Sequence, residues 1–503
     1  MKGADWTPPY SAEKILRLIK TKNDGFWSRE RERRPLRLFH EAAARVPAYK
    51  DFLRKNRVNP AKIKTWKDFQ NVPPVSKKNY LREYSLEKLS WDGTLKKPLV
   101  FTSTSGSTGE PFYFPRGEKL DWEYSILAEM FLKNNPRSVE GPTLVIIGFG
   151  MGVWIGGLIT YQAFQIMSER GYPVSILTTG INKLEIMKTL KNLAPHFSQT
   201  VLIGYPPFVK DIIDEASGAG INLKKLNLRL FFAAEAFTEK FRDHLAKKAN
   251  LKNIYLDTLN IYGTADIGAM AWETPTSILI RRLAVGNPEL FKQIFSDINK
   301  TPTLAQYNPF FMTFEAPDED ILLTGSSTIP LVRYSIGDHG GVLSFKEVNK
   351  TIKKFNVDLK REARKAMIED YIYQLPFVYV YERKDLTTTL YGLQIYPEMI
   401  RDVLLDRPLS KFLTGKFTIL TKFDDKHNQY LEINLEIRKG KKTPPYLRKH
   451  ALHLIVYSLR TKNSEFRELH DYLKHRALPR LAFWPKEHPL HFKPGIKQKW
   501  VKK

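Results

Sequence analysis

The chain has 503 residues, 42% hydrophobic and 12% aromatic, and a formal net charge of +27 from 80 Lys+Arg against 53 Asp+Glu. That length and apolar content provide for large cores and exclude a disordered chain, while the absence of cysteine excludes disulfides, thiolate zinc sites, iron–sulfur clusters and a cysteine nucleophile. The basic excess favours anionic partners, from nucleotides to nucleic acid or acidic lipid, without choosing among them.

Met1 to Lys20 has charged residues where a secretory signal needs an unbroken apolar core, so a cytoplasmic location is expected. Tyr10 to about Leu89 reads as charged helices punctuated by Pro47, Pro60, Pro73 and Pro74, a helical layer over about residues 1–95. From Leu99, β-branched runs (Leu99 to Phe101, Thr143 to Ile147, Val174 to Leu177, Thr200 to Ile203, Leu228 to Ala233, Asn253 to Ile261) alternate with amphipathic stretches such as Lys183 to Leu193, Pro207 to Ala216 and Thr238 to Lys248. This is the alternation of a mainly parallel sheet covered by helices, a fold that collects ligands beyond the carboxyl ends of its strands. Thr143 to Ser168 is uncharged and long enough to span a bilayer. Gly148, Gly150 and Gly152 break it between a strand-like start and a helix-like continuation from Trp154, so a buried strand, a turn and a core helix are expected and no membrane span.

Past Ile321 to Thr324, Gly337, Gly340 and Gly341 read as a turn, followed by a charged helical stretch from Lys346 to Glu369. A smaller α+β unit begins near Leu386, with Lys416 to Thr421 and Tyr430 to Ile437 as strands. The expected organisation is α/β, with a large N-terminal domain over 1–384 and a small α+β domain over 385–503.

The sharpest local feature is Thr102-Ser103-Thr104-Ser105-Gly106-Ser107-Thr108-Gly109-Glu110-Pro111, directly after an apolar strand. Backbone amides and hydroxyls at Ser103, Ser105, Gly106, Ser107, Thr108 and Gly109 can wrap a polyphosphate, because no bulky side chain blocks approach. Taken alone the segment reads equally as a serine-rich turn. It lacks the Gly-Lys-Ser/Thr ending of a Walker loop and the glycine spacing of a hydrolase elbow.

The loop resembles the phosphate-binding signature of the adenylate-forming superfamily, and especially its phenylacetate:CoA ligase branch, which lacks the lysine that follows the proline in most relatives. Phe112 stands there in this chain. Further matches come in family order: Ala233-Ala234-Glu235, Tyr262-Gly263-Thr264-Ala265-Asp266, Arg333-Tyr334-Ser335-Ile336-Gly337-Asp338, and Glu382-Arg383-Lys384-Asp385 followed by Gly392 and Tyr396-Pro397. Val46-Pro47-Ala48-Tyr49, Val72-Pro73-Pro74-Val75-Ser76-Lys77 and the ending Gly495-Ile496-Lys497-Gln498-Lys499 are also similar to this branch.

The resemblance implies an acid-thiol ligase that uses ATP, Mg²⁺ and coenzyme A to turn a carboxylic acid into an acyl-adenylate and then a thioester. It assigns Ala234, Glu235, Tyr262, Gly263 and Thr264 to the nucleotide and acyl pocket, Tyr262 facing adenine. Asp338 goes to the ribose hydroxyls, Asp266 to Mg²⁺ in place of a glutamate, and Arg383 to ribose or phosphate. Asp385 becomes the hinge of a mobile small domain, and Lys497, with Lys499 in reserve, the lysine that assists adenylation. The hydroxyl expected before the acidic residue is missing, since Ala265 occupies its position and Thr264 precedes it.

Plainer readings stand beside these: Tyr262 as core, Asp338 and Asp266 as turn residues, Arg383 and Asp385 as a surface ion pair. Phe149, Trp154, Tyr205, Phe208 and Phe237 suit an apolar acyl pocket or a core equally. His450 with His453, and His488 with His491, lack a supporting carboxylate cluster and read as structural or surface histidines. The basic runs Arg438 to Lys442 and Lys497 to Lys503 read as a solvated face that meets nucleic acid only non-specifically. Transfer to an amine, alcohol or protein thiol is the alternative outcome, and a basic nucleic-acid-binding protein the alternative class. Homodimerisation stays open.

Overall fold

Amphipathic periodicity and side-chain caps build the N-terminal layer. In this computed structural model, which describes residues 8–96, 99–103, 112–135, 141–152, 155–295, 302–381, 388–395 and 397–492, the layer starts with α1 (Ala12–Thr21), capped by Ser11 and burying Ile15 and Ile19. Asn23 caps α2 (Asp24–Arg45), which buries Trp27 and Phe39. Pro47 opens α3 (Pro47–Lys55), a position where its missing N–H has no helical partner to lose.

The hairpin of β1 (Val100–Ser103) and β2 (Tyr113–Arg116) follows, and α4 (Glu118–Lys133) leads into the main sheet. Here β3 (Thr143–Gly148), β4 (Val174–Leu177), β5 (Gln199–Gly204), β6 (Leu228–Ala233) and β7 (Thr258–Thr264) run parallel in the order β7-β6-β5-β3-β4. The crossover helices are α5 (Ile155–Glu169), α6 (Lys183–Asn192), α7 (Pro206–Ala216) and α8 (Glu239–Ala249). The uncharged stretch from Thr143 thus becomes β3 and α5. Among the described residues no helix is long and apolar enough to cross a membrane.

The same sheet continues in antiparallel fashion through β8 (Gly268–Trp272), β9 (Thr303–Gln306), β10 (Met312–Glu315), β11 (Asp320–Gly325), β12 (Leu331–Leu343) and β13 (Phe377–Val380), giving eleven strands. Helix α9 (Pro275–Val285) lies between β8 and β9 in the chain. Gly337, Gly340 and Gly341, expected in a turn, lie inside β12. The reason is close approach: a Cβ on Gly340 would collide with the Tyr379 carbonyl of β13, and one on Gly341 would enter the Tyr379 ring. The charged stretch after β12 is also two helices, α10 (Phe345–Lys354) and α11 (Leu359–Lys365), separated around Asn356 in its left-handed conformation.

The C-terminal part carries the hairpin β14 (Thr388–Leu390) and β15 (Leu393–Ile395) and a three-stranded sheet of β16 (Leu413–Phe423), β17 (Gln429–Ile437) and β18 (Arg480–Trp484). Helices α12 (Pro445–Lys462) and α13 (Ser464–Leu473) connect β17 to β18. Its buried Leu390, Phe417, Ile433, Ile455 and Phe466 join Leu202 and Leu230 of the main sheet and Phe208 and Ile212 of α7 in one hydrophobic cluster. The expected hinge residues Arg383 and Asp385 lie outside the described residues.

Candidate active site

The site forms where the N-terminal layer meets the β7–β8 turn. Pro73 and Pro74 keep the chain extended, and Val75 joins the sheet through Val75 N to Arg333 O (3.1 Å) and Ser335 N to Val75 O (2.8 Å). The Ser76 hydroxyl then accepts from Asn79 N at 3.2 Å, so the chain turns at Lys77. The consequence is an ion pair between Lys77 Nζ and Asp266 Oδ1 at 2.9 Å, while Tyr334 Oη donates to Asp266 Oδ2 at 2.5 Å. Asp266 is 4% exposed, and Thr264 Oγ1 accepts from its backbone N–H at 3.2 Å. Gly263 is required in this hairpin because a Cβ there would lie 2.7 Å from the Gly268 carbonyl oxygen.

Tyr262 and Asp338, assigned to one nucleotide by the sequence, come together: Tyr262 Oη donates to Asp338 Oδ2 at 2.6 Å. The Tyr262 ring also packs against Phe314, 6.0 Å between centroids. Next to Asp338, Gly337 has a left-handed φ of 85° and nothing within 4 Å of where its Cβ would stand. Asp338 is 6% exposed, and a carboxylate held by a phenol can accept hydrogen bonds from a ligand's hydroxyls.

At the carboxyl end of β6, Ala234 takes a φ of 76°, a region that penalises a residue with a Cβ. The kink turns Glu235 towards the C-terminal part, where it accepts from Gly392 N and, at 2.8 Å, from Gln429 Nε2. Asn260 Nδ2 holds the Glu235 carbonyl at 3.0 Å. Of the aromatic candidates, Phe149 and Tyr205 meet edge to face at 5.0 Å beside this junction. Phe208 and Phe237 pack into the core, and Trp154 lies outside the described residues.

Ser103 closes β1 opposite Tyr113. Ser105, Gly106, Ser107, Thr108 and Gly109, like Arg383, Lys497 and Lys499, lie outside the described residues. Among the described residues no group of three or more acidic or histidine side chains gathers to hold a metal. Asp266, the residue expected to meet Mg²⁺, offers one carboxylate, whose oxygens are held by Lys77 and Tyr334; Mg²⁺ takes one or two protein carboxylates and fills the rest with phosphate and water. His488 and His491 instead flank Trp484, with centroids 4.4 and 4.7 Å from its ring.

Sequence reasoning quoted Lys77 and Tyr334 only as parts of phrases and missed Arg116 and Gln429. Arg116 is 3% exposed at the end of β2, and burial pushes its guanidinium down to about 10 against the upward pull of Asp121 and Asp266. Burial pushes the Asp121 carboxyl up to about 6 while Arg116 pulls it down. No alternation marked it, for β2 buries Phe114, Pro115 and Arg116 alike. A cavity of about 1220 Å³ opens elsewhere, lined by Arg34, Trp91, Lys119, Glu123 and Phe310 among others, and touches neither Tyr262, Asp266 nor Asp338.

No protein-family model matches the chain, and no curated protein matches it by sequence. Solved structures do match: 2-hydroxyisobutyryl-CoA ligase in complex with 2-HIB-AMP and CoA, in the thioesterification state, aligns over 99% of this chain and 94% of its own, at 15% identity and a TM-score of 0.61. The chain has the fold of the adenylate-forming enzymes. The same ligase in its postadenylation state with 2-HIB-AMP aligns over 99% of this chain and 93% of its own, at 14% identity and a TM-score of 0.52. Its open conformation with 2-HIB-AMP and CoA gives 0.50 at 14% identity, over 99% of this chain and 96% of that one. Within this fold, Tyr262 stands in β7, Asp266 on the β7–β8 turn and Asp338 in β12.

Proposed function

We propose that the protein activates a carboxylic acid with ATP, forming an acyl-adenylate and pyrophosphate, and passes the acyl group to coenzyme A. The observation that carries this reading is the Tyr262–Asp338 pair at 2.6 Å, set beside open space at Gly337. Asp338 receives the ribose hydroxyls, and Tyr262, with its hydroxyl engaged, presents its ring to adenine. Thr264 and the backbone at Gly263, Ala234 and Glu235 border the nucleotide and acyl pocket, which Phe149 and Tyr205 help to line. Asp266 is the protein's ligand for Mg²⁺, which when bound supplies charge neutralisation at the phosphates. Ser103 and the loop after it, Arg383 and Lys497 are assigned to phosphate, with Asp385 as the pivot of a small domain from residue 385 onward.

The likeness of fold to a 2-hydroxyisobutyryl-CoA ligase supports coenzyme A as the acceptor. Exchange between ATP and labelled pyrophosphate, screened over aryl, arylacetic and fatty acids, tests the first half-reaction. Exchange with none of them would sink the proposal, and Asp338→Ala is expected to abolish it in a folded protein. AMP release in the presence of coenzyme A tests the second half, and release that needs an amine or alcohol instead would reassign the acceptor. Lys497→Ala should suppress acyl-adenylate formation yet spare thioester formation from preformed acyl-adenylate.

A further inference from the structure

Arg116 carries a guanidinium whose fork meets no protein acceptor among the described residues. Its Nε donates to Thr102 Oγ1 at 3.0 Å across the β1–β2 hairpin, which sets the plane of the guanidinium. Nη1 and Nη2 are buried and have no hydrogen-bond partner among the described residues. Both lie over the β7–β8 turn: a Cβ on Gly268, whose φ is 88°, would stand 3.3 and 3.4 Å from them. The nearby acids do not claim the fork. Asp266 gives its two oxygens to Tyr334 and Lys77, and Asp121 attracts the charge without a hydrogen bond.

A buried guanidinium with two unused parallel donors is destabilising until an acceptor arrives, and the group it matches is a carboxylate or phosphate taken in bidentate fashion. Position favours phosphate, because Gly268 pairs with Thr264 at the base of the turn that carries Asp266, so the fork lies beside the carboxylate assigned to the nucleotide's metal. We propose that Arg116 binds phosphoryl oxygens at the pyrophosphate end of ATP, beside Asp266. This rests on the reading of Tyr262, Asp266 and Asp338 as the nucleotide site. In adenylation the acid's oxygen bonds to the α-phosphorus as the bond from that phosphorus to the α,β-bridging oxygen breaks. The electron pair leaves on pyrophosphate, and Arg116 meets that charge with two N–H donors, no proton changing hands.

The test is calorimetric binding of ATP, inorganic pyrophosphate and AMP, each with Mg²⁺, to the full-length protein and to Arg116→Met and Arg116→Lys. Arg116→Met is expected to weaken pyrophosphate and ATP about 30-fold, the loss of one charge-assisted bidentate contact, and to leave AMP within about twofold. Arg116→Lys should recover part of the loss, since lysine keeps the charge without the fork. Thr102→Val, which releases Nε and leaves the charge in place, gives a second reading if Arg116→Met does not fold, and should weaken pyrophosphate more than AMP. Unchanged pyrophosphate affinity, or equal losses for all three ligands, overturns the inference. A wild-type protein that binds pyrophosphate through Arg116 but shows no acid-dependent exchange leaves this inference standing and removes the proposed reaction. A wild-type protein that binds neither ATP nor pyrophosphate removes both.

Discussion

Two buried arginine environments lie in the same sheet region and are resolved in opposite ways. Under α8 and α9, Arg242 is fully buried and spends every nitrogen: Nε on Glu239 at 3.0 Å, Nη1 on Thr258 at 2.7 Å and Nη2 on Glu273 at 2.6 Å. Arg281 beside it donates to Glu239 at 2.6 Å, to the Pro302 carbonyl at 2.8 Å and to the Phe237 carbonyl. Arg116 is almost as buried and spends only Nε. The first cluster is complete within the chain and belongs to the architecture, whereas the second is incomplete and marks a place that ligand atoms fill.

The comparison breaks most visibly at Arg242. Arg242→Met leaves Glu239 and Glu273 buried without it and should lower stability by about 3–5 kcal/mol, read from urea unfolding. A loss below about 1 kcal/mol would place Arg242 with Arg116 instead.

Glu123 shows a third outcome, in which a buried acid keeps its proton. Burial raises its carboxyl to about 7, with Lys119 and Arg34 pulling down. A raised carboxyl binds its proton more tightly when folded, so the stability it contributes is complete below the ordinary carboxylate range and is lost as pH rises through about 7. Glu123→Gln should therefore flatten the decline in stability between pH 5 and 8 by about 2 kcal/mol, measured by denaturation along a pH series.

For Arg116 the sign reverses. Without ligand, Arg116→Met removes a buried charge whose fork has no partner among the described residues and should raise stability by about 1–2 kcal/mol, and saturating pyrophosphate should erase the advantage. The smallest effect belongs to Ala234: relieving its left-handed backbone with Ala234→Gly should stabilise by about 1 kcal/mol or less. A destabilising result would show that the methyl group is held by packing rather than tolerated.

Much of the parallel half of the sheet was legible. The β-branched runs from Val174 and Leu228 end where the strands end, because both are bounded by turns and followed by amphipathic helices. The antiparallel half was harder, since β9, β10 and β13 are four residues each and their register depends on partners distant in the chain. Gly340 and Gly341 misled for the same reason: glycine that admits a neighbouring strand looks like glycine that turns the chain. At the site, Tyr262 and Asp338 were legible as a pair because each sits in a recognisable phrase. Lys77 and Arg116 acquire meaning only when folding carries them to the β7–β8 turn, since neither has local company that distinguishes it from an ordinary surface cation.

The two backbone bonds that tie Val75 to β12 also make a mechanical linkage. They bracket Tyr334, whose hydroxyl grips one oxygen of Asp266, while Lys77, two residues past Val75, grips the other. A displacement of this segment against β12 therefore reaches a single carboxylate by both routes at once. Parting this joint would disconnect the lysine from the carboxylate while leaving the tyrosine on its strand.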